Sequence, residues 1–209
     1  MNKNLKSLSL TALFAALILV ATAYLKIPIA LGYVHPGDVF IVIGCFMLPV
    51  PMAVGVAALG SMLADLIAGY VVYMPVTFFA KGVMALAASL IYYKKFRIWK
   101  AVLGSLAGSL IMVFAYFIFE GFMYGFPVAA ANIPAQLLQP LVAVPVGSAI
   151  CAAMSKIRYV AALKEEISIK YPALRRISAD KKPYDTMKVS ENTSENTSEN
   201  AAEEHDREP

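Results

Sequence analysis

Apolar residues fill long blocks between residues 7 and 154, broken at short intervals by proline, glycine or charge. A helix needs about 20 apolar residues to cross the hydrocarbon of a bilayer. Six blocks read as crossings: 7–25, 38–48, 52–69, 75–93, 101–119 and 133–154. Pro28, Gly32, Pro36 and Gly37 mark the loop after the first, and Pro49 and Pro51 close the second. The second is short, so it is expected to tilt, to be partly re-entrant, or to start within the preceding loop. The pattern predicts an all-α integral membrane protein with six transmembrane helices.

Basic residues orient it. Lys3 and Lys6 precede the first block, Lys94, Lys95, Arg97 and Lys100 separate the fourth from the fifth, and Lys156, Arg158 and Lys164 follow the sixth. With six crossings these groups share one side, the cytoplasmic one, so both termini are expected inside. The opposite loops hold only Lys26. Composition agrees: 59% of the 209 residues are hydrophobic and mean hydropathy is +0.66, above the range of soluble domains. The basic start and apolar run of residues 1–25 superficially resemble a signal peptide with a cut near Ala21 and Ala23. The preferred reading is a retained first helix, because the rest of the chain is membrane-embedded too. Cys45 and Cys151 lie in apolar segments and read as small buried hydrophobes, with neither a disulfide nor a metal site indicated.

Charge changes character after residue 154. Residues 155–209 carry ten basic and eleven acidic side chains. Residues 155–189 read as a cytoplasmic extension of the last helix followed by a basic segment, stopped near Pro172. Residues 190–209 open on a polar four-residue repeat, Ser-Glu-Asn-Thr, that predicts a disordered tail.

Against this background the first 154 residues contain only three acids: Asp38, Asp65 and Glu120. Ionisable groups inside apolar spans are expensive and mark functional sites by default. Threaded through the predicted topology, all three fall near the outer face, with Lys81 at a depth close to that of Asp65. Asn132, Gln136 and Gln139 enter the sixth span from that side, and Tyr33, His35, Tyr70, Tyr73, Thr77 and Tyr124 lie in or beside the outer loops. The inner halves of the spans are nearly free of ionisable groups. This distribution predicts a ligand cavity open to the outside, with Phe40, Phe78, Phe79 and Tyr116 as candidate walls. Structural roles compete: Asp65 and Lys81 as a pair joining two helices, Asp38 as a helix N-cap, Glu120 and the aromatics as interfacial residues. His35 reads as a loop residue at the membrane surface. On the first helix Ala12 and Ala16, extended by Ser9 and Ala23, form a small-residue face that lets another helix approach closely.

Three segments carry a family resemblance: Tyr33-Val-His-Pro-Gly-Asp38-Val-Phe-Ile, Gly60-Ser-Met-Leu-Ala-Asp65-Leu-Ile-Ala-Gly69-Tyr70, and Tyr73-Met-Pro75-Val-Thr77-Phe-Phe-Ala-Lys81-Gly82. Together they resemble the S component, the substrate-binding membrane subunit, of energy-coupling-factor (ECF) vitamin transporters of the riboflavin, pantothenate or pyrimidine type, over about residues 5–155. The resemblance implies six helices, an outward vitamin pocket capped by the loop after the first helix, and two kinds of partner: a transmembrane coupling subunit and two ATPase subunits. ATP would be used by those subunits, with no cofactor on this chain, in keeping with the lack of a Walker motif. Asp38, Asp65, Thr77 and Lys81 are the leading pocket residues, followed by Tyr33, Tyr70, Tyr73, Glu120 and Asn132; Ala12 and Ala16 would face the coupling subunit. No nucleic-acid partner is expected.

An anionic ligand such as pantothenate would need Lys81 free. A flavin would need aromatic stacking, and three acids against one lysine favour a neutral or cationic ligand. The alternatives are a stand-alone proton-coupled secondary transporter using Asp65 or Glu120, which no inverted repeat supports, and a membrane enzyme, for which no nucleophile–base pair is visible.

Overall fold

In the computed structural model, which describes residues 3–92 and 97–168, helix α1 (Lys3–Ala23) runs into a small antiparallel hairpin. Its strands are β1 (Ile27–Pro28) and β2 (Tyr33–Val34), with Ile27 opposite Val34 and Pro28 opposite Tyr33. Then follow α2 (Gly37–Met47), α3 (Val50–Ala68), a short 3-10 turn (Val71–Tyr73), α4 (Met74–Tyr92), α5 (Ile98–Tyr124), α6 (Phe126–Gln136), α7 (Leu138–Ser155) and α8 (Arg158–Ser168). All of these lie within one unit, Met1–Pro172. The predicted basic pair Lys94 and Lys95 and the repeat tail from Ser190 fall outside the described residues.

The described residues are mostly helical, and among them five stretches are long and apolar enough to cross a membrane: Leu5–Ala23, Val50–Ala68, Val71–Ile91, Ile98–Tyr124 and Phe126–Ser155. Large apolar side chains such as Leu8, Phe79, Phe114 and Leu141 stand exposed along them, as a hydrocarbon solvent requires and water does not tolerate in bulk. The second predicted crossing, α2, has 11 residues and is only about 16 Å long at 1.5 Å per residue. It is also the most enclosed helix: every residue but Phe40 is buried, among α1, α3, α4 and α7. Its start is deep, because Asp38 in its first turn meets Lys81, about two turns into α4. The hairpin and the residues after it occupy the height above α2.

The region around residue 125 departs from expectation. Residues 120–132 fall between the fifth and sixth predicted blocks, yet α5 continues to Tyr124 and α6 starts at Phe126. Gly125 alone turns the chain. Pro127 sits in the first turn of α6, where its missing N–H leaves no bond unmade. At the other end, α8 is a separate helix after a turn at Lys156 and Ile157, rather than a continuation of α7.

Close packing between α4 and α5 uses Gly108. A Cβ there would lie 2.6 Å from the carbonyl oxygen of Met84, inside contact distance, so the two backbones can approach only with glycine at that position. This seam holds Lys81 and Thr77 of α4 against Met112 and Tyr116 of α5.

Candidate substrate-binding site

A cavity opens at the end of the bundle where α3 finishes, α4 begins, and α5 turns into α6. It encloses about 390 Å³ of empty space, its open mouth included. Ile29, Leu31, Gly32, Tyr33 and His35 of the hairpin region line one side; Asp65 comes from α3, Tyr70 and Tyr73 from the link that follows it, Thr77 from α4, and Tyr116, Glu120, Gln136 and Gln139 from α5 to α7.

The walls are tyrosine-rich. The Tyr33 and Tyr70 ring centres stand 4.8 Å apart, Tyr70 and Tyr73 6.2 Å, and Tyr73 and Tyr116 6.4 Å. Such rings give a planar ligand apolar area with polar edges. Tyr33 donates its hydroxyl hydrogen to Asp65 Oδ1 at 2.5 Å, a charge-assisted bond that ties the loop to α3. Burial, then the Asp65 charge, pushes the Tyr33 phenol above its ordinary pKa, so it stays a donor. Tyr70 donates to the carbonyl oxygen of Gly32 at 3.3 Å, and Thr77 and Tyr116 share a bond of 2.9 Å. Lys26 sits at the rim, 5.6 Å from the Tyr33 ring centre and 5.9 Å from that of Tyr70, and donates to Ala68 O.

Glu120 is buried and held by neutral donors. Asn132 Nδ2 lies 3.2 and 3.0 Å from its two oxygens, and Gln136 Nε2 donates to Oε2 at 2.8 Å. Asn132 also donates to Leu31 O at 3.3 Å, joining α6 to the hairpin. The carboxamide oxygens of Gln136 and Gln139 have no hydrogen-bond partner among the described residues. A buried acceptor left open is costly, and a ligand N–H would relieve it.

Below the cavity lies a different arrangement. Lys81 is fully buried and donates to Asp38 Oδ1 at 2.5 Å, with Met112 Sδ at 2.8 Å. Neither Lys81 nor Asp38 lines the cavity.

Of the expected pocket residues, Asp65, Thr77, Tyr33, Tyr70, Tyr73 and Glu120 line the cavity together. Asn132 stands behind Glu120 as its support. Asp38 and Lys81, expected among the leading pocket residues, form the buried pair beneath it: Lys81 joins Asp38 and not Asp65, and Asp38 makes no capping bond at the start of α2. His35 is no surface residue. It is 8% exposed and lines the cavity. Sequence reasoning passed over it because a lone histidine in a loop has no period to place it; the adjoining Pro36-Gly37 turn was the available signal. Gln136 and Gln139 were seen at the entrance of the last span but not chosen. Ala12 and Ala16 lie exposed on α1 and are not part of the cavity lining.

A tyrosine- and carboxylate-lined cavity sunk into one end of an apolar helical bundle defines a membrane protein that holds a small polar ligand. Residues 2–156 match the family described as ECF-type riboflavin transporter, S component, and the chain belongs to that family. It is thus a transport subunit for uptake of a vitamin or vitamin precursor and not an enzyme, and the family works in association with an ECF module. Among curated proteins it is similar to the thiamine precursor transporter HmpT of Lactococcus lactis subsp. cremoris (strain MG1363), 33% identical over 144 residues, which cover 68% of this chain and 82% of the relative.

Proposed function

We propose that this chain captures an aminopyrimidine-type thiamine precursor at the outer face of the cell membrane and passes it inward when docked on a transmembrane coupling subunit powered by two ATPase subunits. The observation that carries the substrate class is the balance of the cavity: two carboxylates and two open carboxamide oxygens, with no lysine or arginine lining it. That set wants N–H donors and a flat ring, and it repels an anion such as pantothenate. The similarity to a relative named as a thiamine precursor transporter supports the same choice.

Sidedness follows from the positive-inside rule. Lys6, Arg97, Lys100, Lys156 and Arg158 gather at the helix ends opposite the cavity, where only Lys26 is basic. With α2 as the sixth crossing, both termini lie in the cytoplasm and the cavity faces out. Ala12 and Ala16, small and exposed on α1, suit close approach by a helix of the coupling subunit.

The test is titration of the purified full chain with the hydroxymethyl aminopyrimidine precursor of thiamine, riboflavin and pantothenate. Tight binding of the pyrimidine alone is expected; preference for riboflavin or pantothenate rejects the substrate assignment. Replacing Ala16 by Trp should leave that binding intact and abolish ATP-dependent uptake; unchanged uptake would remove α1 as the docking face.

A further inference from the structure

His35 is held in one tautomer by the backbone. Its Nδ1 accepts the N–H of Gly37 at 3.1 Å, so Nδ1 carries no hydrogen. A neutral imidazole then bears its hydrogen on Nε2. Burial first, and then the nearby Lys81 charge, lowers the ring to about 3, against a smaller opposing effect of Asp38, so the ring is neutral at physiological pH. The turn that makes this bond requires glycine at 37: a Cβ there would overlap the Thr22 hydroxyl and come within 2.8 Å of His35 Nδ1. Gly37 is therefore a positioning residue for the ring.

The rest of the cavity is rich in acceptors. Asp65, Glu120, Gln136 and Gln139 all present oxygen, and the Tyr33 hydroxyl hydrogen is already given to Asp65. A planar heterocycle carries ring-nitrogen or carbonyl acceptors as well as N–H donors; the Tyr73 hydroxyl, without a partner among the described residues, can rotate to donate or accept, whereas His35 offers a hydrogen whose position the backbone fixes.

We propose that His35 is the cavity's fixed hydrogen-bond donor, giving Nε2–H to a ring-nitrogen or carbonyl acceptor of the ligand while the carboxylate and carboxamide oxygens take its N–H groups. The proposal rests on the substrate reading above only for the ligand's planar heterocyclic class. It makes His35 a specificity residue: a ligand with a C–H in place of that acceptor is rejected, because a buried donor would be left unpaired.

Two substitutions separate the ring's two nitrogens. Asparagine puts an acceptor near the Nδ1 position and keeps the Gly37 bond, but has nothing at Nε2. Glutamine carries an N–H to the Nε2 position. For whichever of riboflavin or the aminopyrimidine the parent binds, His35→Asn should weaken binding about tenfold or more, the loss of one good hydrogen bond, and His35→Gln should recover most of it. Parent-like binding by a folded His35→Asn protein overturns the role. A measurement free of mutation uses histidine labelled with nitrogen-15. The expected spectrum has His35 protonated at Nε2, with that signal moving when ligand is added. Protonation at Nδ1, or an Nε2 signal that bound ligand leaves unmoved, overturns the proposal. A parent that binds riboflavin in place of the pyrimidine, with the same His35→Asn loss, rejects the substrate reading and upholds the donor.

Discussion

The cavity and the layer directly beneath it both bury carboxylates, and they treat them in opposite ways. Beneath, Asp38 is met by a lysine at 2.5 Å, both side chains fully buried. In the cavity, Asp65 and Glu120 are met by neutral donors, Tyr33, Asn132 and Gln136. A buried charge with a counter-ion is closed to chemistry; one held by neutral hydrogen bonds still attracts a donor-bearing ligand. The first layer therefore reads as framework, joining α2 to α4, and the second as recognition.

The largest expected effect breaks the framework. Lys81→Met leaves Asp38 buried without its cation and should cost about 3–5 kcal/mol of stability, read as a fall in melting temperature in detergent. Lys81→Met with Asp38→Leu should recover much of it. A single variant as stable as the parent would mean that the pair does not hold the bundle.

A smaller effect separates the two layers by pH. His35 stands between them, with Lys81 and Asp38 as its charged neighbours. Its folded pKa of about 3 lies below the ordinary 6.5. The unfolded chain therefore takes up a proton as pH falls through 6.5 while the folded one does not. This contribution is complete above pH 6.5 and is lost as pH drops toward 3, amounting to about 2 kcal/mol at pH 5. Melting curves of the parent and His35→Gln at pH 7 and 5 should diverge by that amount; parallel curves would show that the ring is already solvated.

Recognition should respond with little loss of fold. Glu120→Gln removes the charge but keeps an oxygen for Asn132 or Gln136, and should weaken ligand binding about tenfold. Binding at parental strength would move Glu120 from the ligand site to the framework. The mildest variant is Tyr33→Phe. It deletes the bond to Asp65 and should lower loop stability by about 1 kcal/mol, visible as faster hydrogen exchange across the hairpin. Unchanged exchange would show that the Tyr33 hydroxyl does not hold the loop.

Much of this was legible in the chain. Apolar blocks placed α1, α2, α3 and α4 to within a few residues, because burial in hydrocarbon is a property of each helix by itself. The rarity of charge in those blocks singled out Asp65 and Glu120, since each is costly wherever it packs. The three quoted segments were enough to indicate the family. The stretch 120–132 between the fifth and sixth blocks is helical on both sides of Gly125, because glycine and proline fit a helix boundary or a first turn as readily as a loop.

Pairing was beyond reach of the sequence. Which carboxylate meets Lys81 depends on how deep α2 begins, and that is fixed by its packing among α1, α3, α4 and α7. The same contact takes Asp38 and Lys81 out of the ligand's reach and brings His35 in. The residue types alone determined a membrane-embedded bundle with polar groups at one end. Only the tertiary structure decided which of those groups neutralise one another and which remain open, because distance between side chains on different helices is a property of the packed chain and not of any one segment.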